Sequence, residues 1–404
     1  MRILIATAGS RGDVAPYTGL GAVLAEAGHE VTLATTDAFA PLAHGAGLGF
    51  RRLPADPRAH GGAGGGRELM RTAAAFAREL GRGFAEVAAE GADLLLLSAT
   101  TAPLGWHLTE ATGTPSLGVY LQPTAPTGDF PPVVTGVRSL GRAGNRAAGR
   151  FALRMADRVF GQAVTELRRD LGLPPLTAVA MRRRREQENW PVLHGFSTAL
   201  VARPADWRPG LEVAGTFWPY VGAGEHLPAV VEDFLRAGPR PVLVGFGSMA
   251  SGEGERLSEI AVQALRRAGL RGILQSGAAG LAADGDDILT IGEVPHALLL
   301  PRLAAVVHHA GAGTTAAALR AGVPAVPVPV TADQPFWAAR LAAIGAATEP
   351  LPFAALSVGR LAEALDRAVR RQTYSRAAAT AAARLAGEDG AGRVRKAVEQ
   401  LAQR

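Results

Sequence analysis

The stretch from Val306 to Pro324, VVHHAGAGTTAAALRAGVP, with Asp333-Gln334 nine residues beyond it, decides how this chain folds. It reads as a short apolar strand, a glycine turn and an Ala-rich helix. The pattern repeats at once, with AVPVPV at 325–330 as strand and a second helix behind it. A strand that stops at His309 and a helix that starts near Thr314 leave Gly311-Ala312-Gly313 as the turn. The first N–H groups of such a helix have no intrahelical partner and carry the positive end of its dipole. An end of that kind attracts phosphate, and small residues let the phosphate come close. The expected ligand is phosphorylated and sits at the carboxyl ends of parallel strands.

Outward from this stretch the same alternation continues. Pro241–Phe246, Gly272–Leu274, Ile288–Ile291, Ala304–His308 and Ala325–Val330 read as strands separated by helical segments. Upstream, Ile3–Thr7, Glu30–Thr35, Asp93–Leu97 and Ser116–Val119 read as strands. A helix from about Val14 to Ala27 is stopped by Gly28, and a long amphipathic helix runs to about Glu90. Pro54 to Gly66 is a Gly-rich loop, expected to be mobile, and Pro123 to Val134 is a long Pro-rich loop of the kind that carries function. Thr216 to Pro241 has no sustained periodicity and reads as a linker.

The expected architecture is α/β, with two doubly wound, Rossmann-like parallel-sheet domains facing each other across a cleft. Residues 1–217 form the first domain, 218–240 the linker and 241–374 the second domain. The helices of 375–404 are expected to pack back on the first. At 404 residues, two domains are the natural division.

Composition narrows the chemistry. The chain has no cysteine, so disulfides, thiolate metal sites and cysteine nucleophiles are excluded. Nine histidines show no HExxH or comparable spacing, and no metal is expected. The net charge of +6 rests on arginine, since Lys396 is the only lysine. That bias suits a GC-rich genome better than a phosphate-binding surface, so no nucleic-acid partner is expected. The cluster Arg182-Arg183-Arg184-Arg185 reads as a solvated helix face, with contact to a membrane surface or acidic ligand as the alternative. The apolar run RILIATAG is too short for a signal peptide, and no stretch approaches ~20 apolar residues. A soluble, cytoplasmic protein without stable membrane insertion is expected, as monomer or homodimer.

Seven motifs then carry a resemblance: AGSRGDVAPY at 8–17, WPVLHGFS at 190–197, RPADW at 203–207, GFGSM at 245–249, EVPHALLLPRL at 293–303, HHAGAGTTAAALRAGVP at 308–324 and ADQPFW at 332–337. In this order they resemble the family 1 glycosyltransferases of GT-B fold, in the branch of bacterial natural-product and sterol glucosyltransferases. The resemblance implies that His309 binds the donor diphosphate, with Gly311, Gly313 and Thr314 beside it and Ser248 on the other side. It implies that Val294 and His296 meet the nucleoside. There is no stacking tryptophan in this loop, which leaves uridine and thymidine open. It further implies that Asp333 and Gln334 bind the donor hexose. His308, next along the strand, reads as buried support for the site.

Asp13, in the turn after the first strand, is the candidate base, and the resembling branch carries aspartate there. A simple helix cap is its alternative role. Trp106, His107, Tyr120 and Phe130 are candidates for the acceptor wall, with core packing as the alternative. The implied activity is inverting transfer of a hexose from UDP-glucose, or closely behind it a dTDP-deoxysugar, to a hydroxyl of an apolar macrolide, polyketide, sterol or triterpene. No cofactor is implied. The alternatives are a sugar-nucleotide epimerase of the same fold and a non-catalytic nucleotide-binding partner protein.

Overall fold

The computed structural model of the chain describes residues 1–54, 66–88, 90–134, 138–247, 252–283 and 285–403. Among them the first domain alternates β1 (Arg2–Ala6), α1 (Arg11–Glu26), β2 (Glu30–Thr35), α2 (Ala40–Gly45), β3 (Gly49–Arg52), α3 (Gly66–Ala88), β4 (Leu94–Leu97), α4 (Ala102–Thr112) and β5 (Ser116–Tyr120). It continues with α5 (Gly141–Asp170), α6 (Ala178–Gln187), β6 (Val192–His194) and β7 (Leu211–Val213). The second holds α7 (Ala229–Arg236), β8 (Val242–Gly245), α8 (Gly254–Arg267), β9 (Gly272–Gln275), β10 (Ile288–Ile291), α9 (His296–Leu299), β11 (Ala305–His308), α10 (Ala312–Arg320), β12 (Ala325–Pro327), α11 (Gln334–Ala343) and α12 (Val358–Arg370). Two helices close the chain, α13 (Gln372–Ala386) and α14 (Gly390–Ala402).

Every ladder is parallel. The first sheet runs β3-β2-β1-β4-β5-β6-β7 and the second β10-β9-β8-β11-β12. Strands covered on both faces must be apolar along their length, and LLLL of β4 and AVVH of β11 are buried at every position. In each sheet the order reverses once, between β1 and β4 and between β8 and β11. Open α/β sheets bind ligands outside the carboxyl ends of strands at such a reversal. Asp13 lies in the first turn of α1, the helix that follows β1, rather than in the turn before it as expected, and the turn after β11 holds His309. Topology alone therefore aims both motifs at the cleft.

The structure differs from expectation in the segment read as a linker. Val231 and Leu235 of α7, with Leu227 before it, are buried against Leu243, Ile273 and Ile291. This stretch belongs to the core of the second domain, and eight residues of helix were too few to show a period. Strands β3, β6 and β7, each of three or four residues, also escaped the sequence reading. The Gly-rich loop at 55–65 lies outside the described residues.

At the other end, Val394 and Val398 of α14 are fully buried in one cluster with Ile3, Ile5 and Val14 of the first domain. Each such side chain contributes about 1.5–3 kcal/mol, so the carboxyl terminus helps hold the amino-terminal sheet together. Among the described residues no helix is long and apolar enough to cross a membrane.

Candidate functional site

β11 ends at His308, as in the strand read over Ala304–His308, and α10 starts at Ala312, two residues before Thr314. Ala310 takes a left-handed φ of 62°, which tightens the turn to two residues and makes Gly311 the helix cap. Strain at a non-glycine residue is characteristic of functional turns. The Thr315 N–H is bonded to the Gly311 carbonyl at 2.9 Å, so the N–H groups of Ala312, Gly313 and Thr314 lie ahead of that first bond. Glycine at the cap offers no side chain to compete for them. Gly313 is exposed, with open space where a Cβ would stand.

The His309 ring lies between two glycines. A Cβ on Gly247 would come within 2.7 Å of its Cε1, and one on Gly311 within 2.5 Å of its Nε2. Only bare backbone admits the imidazole here. Its Nδ1 is buried without a hydrogen-bond partner among the described residues. Burial, with the nearby His296 adding to it, holds its pKa down to about 4. The ring is thus neutral near pH 7 and can offer an anion one N–H but no net charge. Ser248, expected on the opposite side, lies outside the described residues.

His308 is fully buried, its Nδ1 accepts the Ala310 N–H at 3.1 Å, and burial together with His309 and His296 lowers its pKa to about 3. It fixes the strained turn. His296 opens α9 half-buried and is depressed by burial and then by Arg11. Val294, two residues earlier, packs against the cluster around Leu299 and Leu300. Arg11, at the start of α1, pairs with Glu293 of the same loop at 3.0 Å, joining the two domains.

Asp333 caps α11 and is only 9% exposed. Its Oδ2 accepts the Trp337 indole N–H at 2.7 Å and the Gln122 amide at 2.8 Å, the latter from the first domain. Burial raises its carboxyl, and the charge of Asp13 raises it further. The Gln334 side-chain carbonyl accepts the N–H groups of Val330 (2.8 Å) and Thr331 (3.1 Å), so its amide nitrogen is the end left to bind.

Asp13 has both of the roles considered for it open. It stands at the third position of α1, with Ser10 as the cap, and its Oδ2 accepts the Ser10 N–H and hydroxyl, each at 2.8 Å. This reciprocal capping box anchors the helix start. Oδ1 has no hydrogen-bond partner among the described residues. Burial raises the carboxyl above the usual aspartate range, against the two Ser10 bonds that lower it. Gly9, at φ 152°, leaves the room the carboxylate needs, since a Cβ there would lie 2.5 Å from Oδ2. The electrostatic reach of Asp13 to Asp333 brings the two switch points together.

Of the acceptor-wall candidates, Phe130 alone meets the second domain, while Tyr120 and Trp106 both pack on Trp190. Tyr120 ends β5, packed edge-on against His194 at 5.8 Å. Phe130 crosses to the second domain, meeting Phe336 of α11 at 5.3 Å with the Arg340 guanidinium over its ring. Trp106 and His107 instead pack among α4, α5 and α6. Trp106 meets Trp190 edge-on at 5.4 Å. His107 is fully buried, bonded to Arg168 at 2.9 Å, and burial plus that guanidinium lower its pKa to about 4. For these two the structure favours core packing over a wall facing the cleft. The Arg182–Arg185 run is largely ion-paired, to Asp157, Glu186, Glu188 and Glu110.

Sequence reasoning missed Gln122 and Asp206. Asp206, in RPADW, accepts from Thr127 Oγ1 (2.6 Å), the Gly128 N–H (2.8 Å) and Arg146 (2.7 Å). Burial would raise this carboxyl, but these donors outweigh it and hold it at about 2. The Pro-rich loop is therefore tied down at its centre.

Two parallel-sheet domains with their switch points at a common cleft and a bare helix end at one of them are the architecture of a protein that binds a phosphorylated ligand. Comparison with known proteins makes that specific. Residues 3–90 match the glycosyltransferase family 28 N-terminal domain, and residues 274–401 match the erythromycin biosynthesis protein CIII-like C-terminal domain. The O-mycaminosyltylonolide 6-deoxyallosyltransferase of Streptomyces fradiae is 38% identical over 95% of this chain and 93% of its own length. The sterol 3-beta-glucosyltransferase UGT80A2 of Arabidopsis thaliana is 31% identical over 96% of this chain and 64% of its own length. The fold is shared with the glycosyltransferase SnogD from Streptomyces nogalater (TM-score 0.69, 20% identity, 99% and 100% covered). It is shared too with the spinosyn rhamnosyltransferase SpnG complexed with thymidine diphosphate (TM-score 0.67, 22% identity, 98% and 99% covered). The chain belongs to the family 1 glycosyltransferases, with the GT-B fold, and is a glycosyltransferase.

Proposed function

We propose that the enzyme moves a hexose from a nucleoside diphosphate sugar to a hydroxyl of an apolar natural product, with inversion at the anomeric carbon. The observation that carries this reading is the convergence of three features at the facing switch points. These are the free amide end of α10 beside neutral His309, the buried Asp333, and the Asp13 carboxylate whose charge reaches it.

Asp13 Oδ1 takes the proton of the acceptor hydroxyl as its oxygen attacks the anomeric carbon. Its raised pKa makes it a better base than an ordinary aspartate. The bond from the anomeric carbon to the diphosphate breaks in line, and the departing negative charge falls on the N–H groups of Ala312, Gly313 and Thr314 and on His309. Donors fixed in advance stabilise such charge without reorganising, and each is worth about 10²–10³ in turnover. Transfer is proposed to need no resident metal. Asp333 and the Gln334 amide hold the sugar, and Val294 and His296 line the nucleoside's place. Tyr120 and the clamped loop carrying Phe130 border the acceptor. A cytoplasmic location is part of this reading.

The S. fradiae relative is named for a 6-deoxyhexose, which supports testing dTDP-deoxysugars beside UDP-glucose as donors. A panel of UDP- and dTDP-sugars with macrolide, aromatic polyketide and sterol acceptors, read by product mass and anomeric coupling constant, tests the proposal. The expected product has gained one hexose in inverted configuration. Epimerised nucleotide sugar without acceptor would instead identify an epimerase.

A further inference from the structure

Gln122 follows β5 by two residues and reaches across the cleft to the sugar-site carboxylate of the other domain. Asp333 Oδ2 has two donors of different character. The Trp337 indole lies one turn along the same helix, is almost fully buried, and cannot leave without unpacking α11. The Gln122 amide comes from a half-buried side chain on a separate domain, 211 residues away in sequence. Its other end, Oε1, has no hydrogen-bond partner among the described residues, and it is not sealed in the interior. A carboxylate that only accepts thus stands beside an amide that both donates and accepts. Neighbouring hydroxyls of a hexose can satisfy both, one donating to Asp333 and the next donating to Gln122 Oε1.

We propose that Gln122 is a specificity-determining residue that reads the donor sugar jointly with Asp333, selecting donors that carry a vicinal hydroxyl pair. The inference rests on the proposed sugar-binding role of Asp333. The amide bonds the carboxylate directly, and a matching sugar sets one hydroxyl on Asp333 and the next on Gln122 Oε1. A sugar lacking one of the two hydroxyls leaves half of the pair unanswered. Sites built to bond a hydroxyl discriminate against its absence more strongly than apolar pockets discriminate by size.

The test compares a nucleoside diphosphate hexose accepted by the wild type with its 3-deoxy and 4-deoxy counterparts. Gln122→Leu should raise KM for the hydroxylated donor about tenfold or more, the scale of a lost hydrogen bond to a polar partner in this setting. It should leave nearly unchanged whichever of the two deoxy donors lacks the hydroxyl bonded to Gln122, so that selectivity against that donor collapses. The dissociation constant of the nucleoside diphosphate alone should not move. Gln122→Glu, of equal size, places an acceptor against Asp333, and its activity should recover as pH falls and the new carboxyl protonates to become a donor. Equal losses for the hydroxylated donor and both deoxy donors, or weakened binding of the nucleoside diphosphate itself, would make Gln122 a mere interdomain clamp and overturn the inference. The underlying reading is tested separately. If Asp333→Asn leaves donor KM and selectivity intact, the sugar does not sit at Asp333. If Asp333→Asn destroys selectivity and Gln122→Leu does not, only the role of Gln122 falls.

Discussion

At the scale of single residues, burial moves the site's titratable groups away from their ordinary pKa values. Burial raises Asp13 and Asp333 and lowers His309. The activity profile should therefore have an acid limb above the ordinary aspartate value of about 3.9, set by Asp13 and absent in variants lacking that carboxyl. Initial rates against pH at saturating donor check this. The stability consequence has the opposite sense from a salt-bridged aspartate. A folded pKa above the unfolded one means the native state holds the proton more tightly, so stability falls as pH rises from the unfolded toward the folded value. Asp13→Asn, which keeps an oxygen for Ser10, should melt higher than wild type at neutral pH and gain nothing below about pH 3.5. Differential scanning calorimetry at both pH values reads the difference. Asp13 and His309 were legible because each stands at a strand-to-helix turn within a recognisable motif. Gln122 was not, for its role depends on a partner 211 residues away.

At the scale of elements, the bare start of α10 depends on what its neighbours lack. A Cβ on Gly311 would meet the His309 ring at 2.5 Å. Gly311→Ala should therefore displace the imidazole and weaken nucleoside diphosphate binding about tenfold, equivalent to 1.4 kcal/mol, measurable by titration calorimetry. The Pro-rich loop makes a second case. Asp206 holds its centre through Thr127 and Gly128, and Asn145 on α5 donates to the Gly128 carbonyl at 3.1 Å. Asp206→Ala should raise acceptor KM severalfold while leaving donor KM near wild type, as steady-state kinetics with each substrate varied would show. Long strands and helices were readable because period and caps agree over many residues. The α10 start was misplaced by two residues, since Ala310 takes a left-handed conformation that the sequence does not announce. Helix α7 and the three-residue β6 and β7 were too short for periodicity, and their place comes from packing.

At the scale of the whole molecule, the two domains and the returning tail form one mechanical unit. The Gln122–Asp333 bond, the Arg11–Glu293 pair and the Phe130–Phe336 contact span the cleft, while α14 is buried against β1 and α1. Four histidines, 107, 194, 308 and 309, are held neutral by burial with pKa values of about 3–4. The unfolded chain binds protons at these sites near pH 6.5 and the native state does not. Their contribution to stability is thus complete above about pH 6.5 and is lost as pH falls toward 4. The melting temperature should drop steadily through that window, and a flat profile would show that the imidazoles are not sequestered. The central claim is that a carboxylate from one domain primes an alcohol while a helix end of the other receives the diphosphate. Its most direct measurement is the single-turnover rate of Asp13→Asn beside the dissociation constant of the nucleoside diphosphate. The account predicts a rate lower by about 10²–10⁴ with unchanged affinity. Transfer at the wild-type rate, or loss of nucleotide binding in step with the rate, would contradict it.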